Sequence, residues 1–520
     1  MIKRLFFRGL TMLFVFTTSL VFAQEKGSLK LANELFNDGN FKAALEEYLE
    51  LLETNSKEIN LNYKTGVCYL NTNIDKANAI PYLEKVLSLD NIDPNTYYLL
   101  GRAYHYAYRF PEAIKMFEQF KTINKGNSEN LKDVEKQIEY AYNAVEIMKF
   151  PLNVTFKNMG AAINSDKPDY YPFVPLDESF LVYNTKRDDG SNKLTDGSFN
   201  TEIYISKVKN ANFGAARKLD QNVNSLDGSE EIVGLSGTGN KMLLYFENED
   251  HYGNLFIADY LDEEVQNLTE LPKVINSKNH EISATIDKYG SVIYFASDRE
   301  GGYGGVDLYS SRKLPNGKWG PPQNLGPNIN TEYDEDFPNI TSDNKTLFFS
   351  SKGHTSMGGY DIFKASWSSI KRNWGDINNI GYPLNTPEDN TNFRSSKNGR
   401  TGYISALREK GFGDLDVYSV TFNEVDPEYT VLKGHVKSSD STQIKDVFIS
   451  VLDKHTDELY GNYMTNPITG RYVIILPPGK FNIMVEVPDF KIITEDIEVL
   501  GKNSFRSLIK KDYILNPKGL

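Results

Sequence analysis

Between Asn279 and Thr386 the chain runs through nearly the same pattern twice, and no other feature restricts its fold as strongly. Ile286-Asp287-Lys288-Tyr289-Gly290 leads into Val292-Ile293-Tyr294-Phe295-Ala296-Ser297-Asp298-Arg299, then Gly304-Gly305-Val306-Asp307-Leu308-Tyr309. In the next unit Thr341-Ser342-Asp343-Asn344-Lys345 leads into Leu347-Phe348-Phe349-Ser350-Ser351-Lys352, then Gly358-Gly359-Tyr360-Asp361-Ile362-Phe363. Short aromatic or β-branched runs alternate with Gly/Asp/Asn punctuation, which reads as strands joined by tight turns. A repeat of this length built from strands alone predicts the blade of a β-propeller.

The blades are counted by an apolar residue followed by Asn and Ser or Thr. The motif occurs at Asn164, Asn224, Asn276, Asn330 and Asn385, spaced 60, 52, 54 and 55 residues apart. Five such exits imply five blades, or six if one is degenerate. The first exit precedes any inner strand, so residues 152–160 are expected to be the outer strand of the last blade. Its inner strands would come from 391–420, closing a ring over 150–423 and removing the exposed sheet edges. Asp307, Asp361 and Asp416 each precede an apolar-aromatic pair and are expected to bond backbone amides at a strand start. Repetition gives them, with the turn pair Asp298 and Arg299, a structural role, because a catalytic site needs no copies. At Tyr294–Arg299, Gly305–Tyr309 and Phe348–Lys352 the chain resembles the TolB-like or WD-type propeller repeat of bacterial envelope proteins. The likeness fades in the first two blades, where Asn248-Glu249-Asp250 replaces Ser-Asp-Arg.

Before the propeller, residues 24–148 change to helical periodicity. The small residues Ala32, Gly66 and Gly101 stand 34 and 35 residues apart, which is the tetratricopeptide period. A small residue on the first helix of a pair lets the second approach closely, and Ala113 and Phe117 are placed on such a second helix. The unit with Gly101, Tyr104, Pro111, Ala113 and Phe117 resembles the tetratricopeptide consensus, with a capping helix expected over 131–148. Arrays of this kind dock proteins or peptides. The single cysteine, Cys68, falls within this pattern and reads as a small core residue.

Residues 1–23 read as an export leader: Lys3, Arg4 and Arg8 precede an apolar run, with cleavage expected between Ala23 and Gln24. That places the mature chain in the periplasm or at the outer membrane, with no membrane span after leader removal. With 57 Lys+Arg against 70 Asp+Glu and no basic patch, nucleic acid is excluded as a partner. Residues 427–500 alternate at period two with frequent turns, predicting a small β-sandwich. Gly470–Tyr472 and Leu476-Pro477-Pro478-Gly479 resemble the carboxypeptidase regulatory-like domain. Residues 501–520 read as a tail.

The fold class expected is therefore multidomain, α plus all-β: a tetratricopeptide α-solenoid, a β-propeller and a C-terminal β-sandwich. That order resembles a group of Bacteroidota envelope proteins in which an OmpA-like domain generally follows, and some of which serve type IX secretion or gliding. The sequence ends where that domain would start. No Gly-x-Ser-x-Gly elbow, phosphate loop or His-Glu-x-x-His is present, and the six histidines are scattered. His280 and His354 read as exposed loop residues, and Asp334-Glu335-Asp336 as a solvated acidic turn. The expectation is a non-enzymatic envelope scaffold without cofactor, metal or catalytic residues. It would bind envelope proteins, an outer-membrane protein among them, through the helical array and the propeller face. The alternative is a carbohydrate- or peptide-processing enzyme, or a glycan-binding module, using the propeller mouth.

Overall fold

Five antiparallel sheets follow one another between Val154 and Phe422. The computed structural model describes residues 28–88, 93–124, 128–149, 151–188, 190, 193–209, 212–224, 228–247, 252–397, 399–423, 429–442, 444, 447–466, 469–500 and 508–518. The leader over 1–23, with Ala23 and Gln24, and the triplet 248–250 lie outside them. The chain divides into two compact units, Met1–Val134 with Lys193–Ser198, and Glu135–Asn192 with Phe199–Leu520.

In the first unit, helices α1 (Leu29–Asn37) and α2 (Phe41–Thr54), α3 (Ile59–Leu70) and α4 (Ile80–Leu87), and α5 (Asn95–Tyr106) and α6 (Phe110–Ile123) pack in successive pairs. Asn40 caps α2 by accepting from Ala43 N, after Gly39 has turned the chain at positive φ. Ala32 and Ala113 are buried without exposure. A Cβ at Gly66 would come within 2.6 Å of Leu83, and one at Gly101 within 2.6 Å of the Phe117 ring, so these glycines set the helix separation. Cys68 is buried, and burial pushes its thiol up to about 12, which makes it inert.

In the second unit each sheet runs outward from an inner strand. The inner strands are Asp169–Phe173, Ser229–Leu235, Glu281–Ile286, Glu335–Ile340 and the short Arg394–Ser395. Contacts between neighbours close a circle. Asn184 bonds Ile232 N and O, Gly234 packs on Ala284 O so tightly that a Cβ would collide, and Phe337 N donates to Ser283 Oγ. Asn339 Nδ2 donates to Phe393 O, and Tyr171 N to Ser405 Oγ. The result is propeller-like, and Val154–Asn158 supplies the outer strand of the fifth sheet, pairing antiparallel with Asp416–Phe422.

The repeated Asn residues have one shared geometry. Asn164, Asn224, Asn276, Asn330 and Asn385 are all buried, and each bonds both N–H and C=O of one third-strand residue at 2.7–3.1 Å. The partners are Val417, Ile203, Leu255, Leu308 and Ile362 in that order. The side-chain amide thus serves as a missing strand's peptide group.

Helix α7 (Ser128–Ile147) brings residues from Glu135 onward into the second unit, where Tyr140 Oη donates to Lys352 O and Asn143 Nδ2 to Ser356 O. Two more sheets enclose a core that includes Leu432, Ile449, Tyr472, Phe481 and Ile483. One of them extends past residue 500. Leu508–Lys510 and Tyr513–Leu515 pair parallel with Thr430–Ser438, so residues read as a tail belong to the sheet. No helix among the described residues is long and apolar enough to cross a membrane.

Replacing Asn330 with Ala removes both bonds to Leu308 and strands a buried N–H and C=O. The loss expected is roughly 2–4 kcal/mol, read as a lower denaturant midpoint at unchanged slope.

Candidate functional site

Seven residues beyond each exit Asn stand Tyr171, Glu231, Ser283, Phe337 and Asn392, one equivalent level of the five inner segments. The inner strands bulge beside this level, with register breaks between Tyr170 and Phe173, Ile232 and Gly234, Glu281 and Ser283, and Asp336 and Asn339. Tyr171, Phe337 and Asn392 take left-handed backbone angles, φ 52°, 51° and 56°. For bulky residues this costs on the order of 1–3 kcal/mol each, a strain that concentrates at functional sites. The bulges re-aim side chains inward.

Tyr171, Glu231 and Phe337 of this level line a cavity of about 470 Å³ whose wall also includes Tyr170, Tyr360 and Asp389. The aromatic rings form a continuous cluster: Tyr170 and Tyr171 are 4.8 Å apart, Tyr171 and Phe337 4.9 Å, Phe337 and Tyr360 6.0 Å. Carboxylates from different sheets and loops sit among them. Glu231 Oε1 accepts from Tyr170 Oη at 2.8 Å. Asp389 Oδ1 accepts from Tyr360 N at 2.7 Å, a seat open only because Gly359 has no Cβ to collide with it. Asp336, buried behind Phe337, accepts from Phe337 N at 2.6 Å and from Ser283 Oγ.

Burial sets the acidities. It raises the Glu231 carboxyl above the ordinary carboxylate range, against the pull of the Tyr170 bond and the Lys186 charge. Asp336 is pushed up to about 6 by burial, opposed by Ser283 and Phe337 N. Tyr171 and Tyr360 are raised as well, first by burial and then by nearby carboxylates, so both phenols stay neutral. The cavity therefore pairs flat apolar rings with a carboxyl that keeps its proton to higher pH. Such a group can serve as a general acid, or hydrogen-bond hydroxyls while the rings stack on an apolar face.

The residues singled out in the sequence stand elsewhere. Asp307 accepts from Tyr303 N (2.7 Å) and Asn324 Nδ2 (2.6 Å), Asp361 from Met357 N (2.9 Å) and Asn379 Nδ2 (2.7 Å), and Asp416 from Phe412 N (2.8 Å) and Asn158 Nδ2 (2.8 Å). Asn324, Asn379 and Asn158 in turn accept from Asn330, Asn385 and Asn164, so the acids anchor the exit network. Arg299 reaches Ile275 O at 2.7 Å and Glu281 at 3.0 Å, and Asp298 accepts from His280 N at 2.8 Å. None of the five lines the cavity. His280 is exposed, whereas His354 is half-buried between Phe349 and Phe363, contrary to its expected exposure. The acidic turn is also corrected: Glu335 is fully buried, bonded by Thr331 and Ser351, and raised to about 7 by burial. The bulge that follows turns its neighbour Asp336 inward as well.

No family model matches the chain, and no curated protein does. Among solved structures it is similar to an endo-arabinase from Bacteroides thetaiotaomicron, at 14% identity and TM-score 0.32 over 52% of this chain and 98% of that one. It is also similar to an α-L-arabinofuranosidase from Lactobacillus brevis, at 13% identity and TM-score 0.30 over 50% of this chain and 91% of that one. A third is the Bacteroides ovatus xyloglucan PUL GH43B, at 10% identity and TM-score 0.25 over 65% of this chain and 79% of that one. At these values the likeness assigns no substrate or reaction to this chain. The expectation of a non-enzyme is corrected on the cavity's own geometry, where the Glu231 carboxyl, raised by burial and bonded to Tyr170 Oη, is a group able to act as a general acid. The absence of familiar local motifs does not exclude catalysis.

Asp336 holds its proton to about pH 6 in the folded chain, but releases it near 3.9 when unfolded. The folded state binds more protons in between, so this group's contribution to stability is full below about pH 4 and lost as pH rises through 6. Asp336→Asn should flatten the fall in unfolding free energy over that window, by on the order of 2 kcal/mol. Denaturant midpoints measured from pH 4 to 7 on both chains check it.

Proposed function

We propose that the axial cavity binds a carbohydrate and acts on its glycosidic bonds. The single observation that carries this reading is the meeting of Tyr171, Phe337 and Tyr360 with Glu231 and Asp389 in one cavity built by separate parts of the ring. Aromatic faces suit the apolar faces of sugar rings, and carboxylates suit their hydroxyls. Glycoside hydrolysis uses two carboxyl groups, one protonated at working pH. Glu231, raised by burial, suits the acid, and Asp389 at the exposed rim suits the second carboxylate.

The first unit supports a second role. Its close helix pairs, with Gly66 against Leu83 and Gly101 against Phe117, fit a tetratricopeptide array that docks a protein partner. With the leader read over 1–23, we place the chain in the periplasm or at the outer membrane, where the array would bring the cavity to an envelope assembly.

Incubation of the full chain with plant and bacterial oligosaccharide libraries should release new reducing ends. Glu231→Gln should cut that release by roughly 100-fold or more while leaving binding in place. A folded wild-type chain that neither binds nor cleaves any member overturns the reading.

A further inference from the structure

Two residues beyond the cavity level lies a second axial level: Phe173, Val233, Thr285, Asn339 and Arg394, nine residues after each exit Asn. All five are buried, and none is acidic. Arg394 is only 5% exposed. Its Nη1 donates to Asn339 Oδ1, and its guanidinium lies 4.0 Å from the Phe173 ring centre. Nε has no partner among the described residues, and no described carboxylate forms an ion pair with the group. One level up, Asn392, 2% exposed, leaves Nδ2 equally unpartnered. The acids nearest in level are engaged elsewhere: Glu231 with Tyr170, Asp336 with Ser283 and Phe337 N, and Asp287, further along the axis, with Ser291 and Val292 N.

Buried charges in proteins are normally paired, because an isolated one loses its hydration without return. Arginine cannot escape by releasing its proton. Burial alone, with no opposing charge, draws the Arg394 guanidinium down to about 9. The segment 392–394 thus presents two idle donors and a fixed positive charge. Asn339, the polar neighbour, already spends Nδ2 on Phe393 O and Oδ1 on Arg394.

We propose that this axial level binds a monovalent anion, held by Nε of Arg394 and Nδ2 of Asn392. The anionic group is either a small inorganic ion or the carboxylate of a molecule entering from the cavity, and the chemistry that recognises it is the same. An anion here would neutralise the ring's centre and lock the fifth inner segment to the first and fourth. The inference does not depend on the carbohydrate reading, since a halide would fill the same donors in a chain that binds no sugar.

The test uses the full chain in halide-free buffer at constant ionic strength, titrated with bromide and separately with galacturonate. The unfolding temperature should rise with one of them, by roughly 2 °C per tenfold above its dissociation constant. If bromide stabilises, bromide-soaked crystals should show anomalous scattering in contact with Arg394 Nε. If only galacturonate stabilises, the same donors hold a sugar carboxylate. In Arg394→Met the rise should vanish. Should that chain fail to fold, Asn392→Gly, which keeps the left-handed backbone, should weaken the rise. Absence of stabilisation by both anions in the wild type overturns the proposal, as does a bromide effect that persists unchanged in Arg394→Met.

Discussion

Everything in the ring depends on a side-chain amide standing in for a peptide group. Each exit Asn bonds N–H and C=O of one third-strand residue, in a place where those groups would otherwise be buried without partners. The Ser or Thr that follows holds the residue opening the next inner strand in three sheets, where Ser165 bonds Asp169, Ser277 bonds Glu281 and Thr331 bonds Glu335, and Thr386 bonds Asn390 ahead of the short fifth one. Two adjacent residues therefore lash one sheet to the next. Asn164 does this across the seam, fixing Val417 of the fifth sheet while Ser165 fixes the first. With that link in place the starts of the first, third and fourth inner strands are set, and so is what those strands turn toward the axis.

The axis is where the fold's regularity ends. Bulges and left-handed Tyr171 and Phe337 cost backbone energy that uniform strands would avoid. In return the walls carry aromatic rings, carboxyls that burial makes weaker acids than usual, and a guanidinium with no carboxylate partner among the described residues, all within a frame clamped by the exit Asn residues. Chemistry at the centre can vary from sheet to sheet because the clamps at the periphery do not.

That division decides what could be read from the chain. Asn164, Asn224, Asn276, Asn330 and Asn385 were legible because their work is the same in every sheet, and repetition is visible without coordinates. The strand-start acids Asp307, Asp361 and Asp416 were legible for the same reason. Tyr171, Glu231 and Phe337 were missed because their side chains share no chemistry. Only a count of seven from each exit Asn aligns them, and that count gains meaning once the inner strands are known to face the axis. Glu335 and Asp336 read as solvent-loving by composition, whereas a serine or threonine partner and a bulge bury them. The strand Tyr513–Leu515 eluded a local reading because its partner lies more than seventy residues earlier. Motif searches also assume that reacting groups are close in sequence, whereas this cavity draws Glu231 and Asp389 from opposite ends of the ring.

The most direct measurement is hydrogen exchange, residue by residue, on a full chain carrying Asn164→Ala. If the seam clamp governs the ring, protection should fall together in Val154–Asn158, Asp416–Phe422 and Asp169–Phe173. Protection lost only at residues 160–166, with all three strands exchanging as in the wild type, would contradict the account.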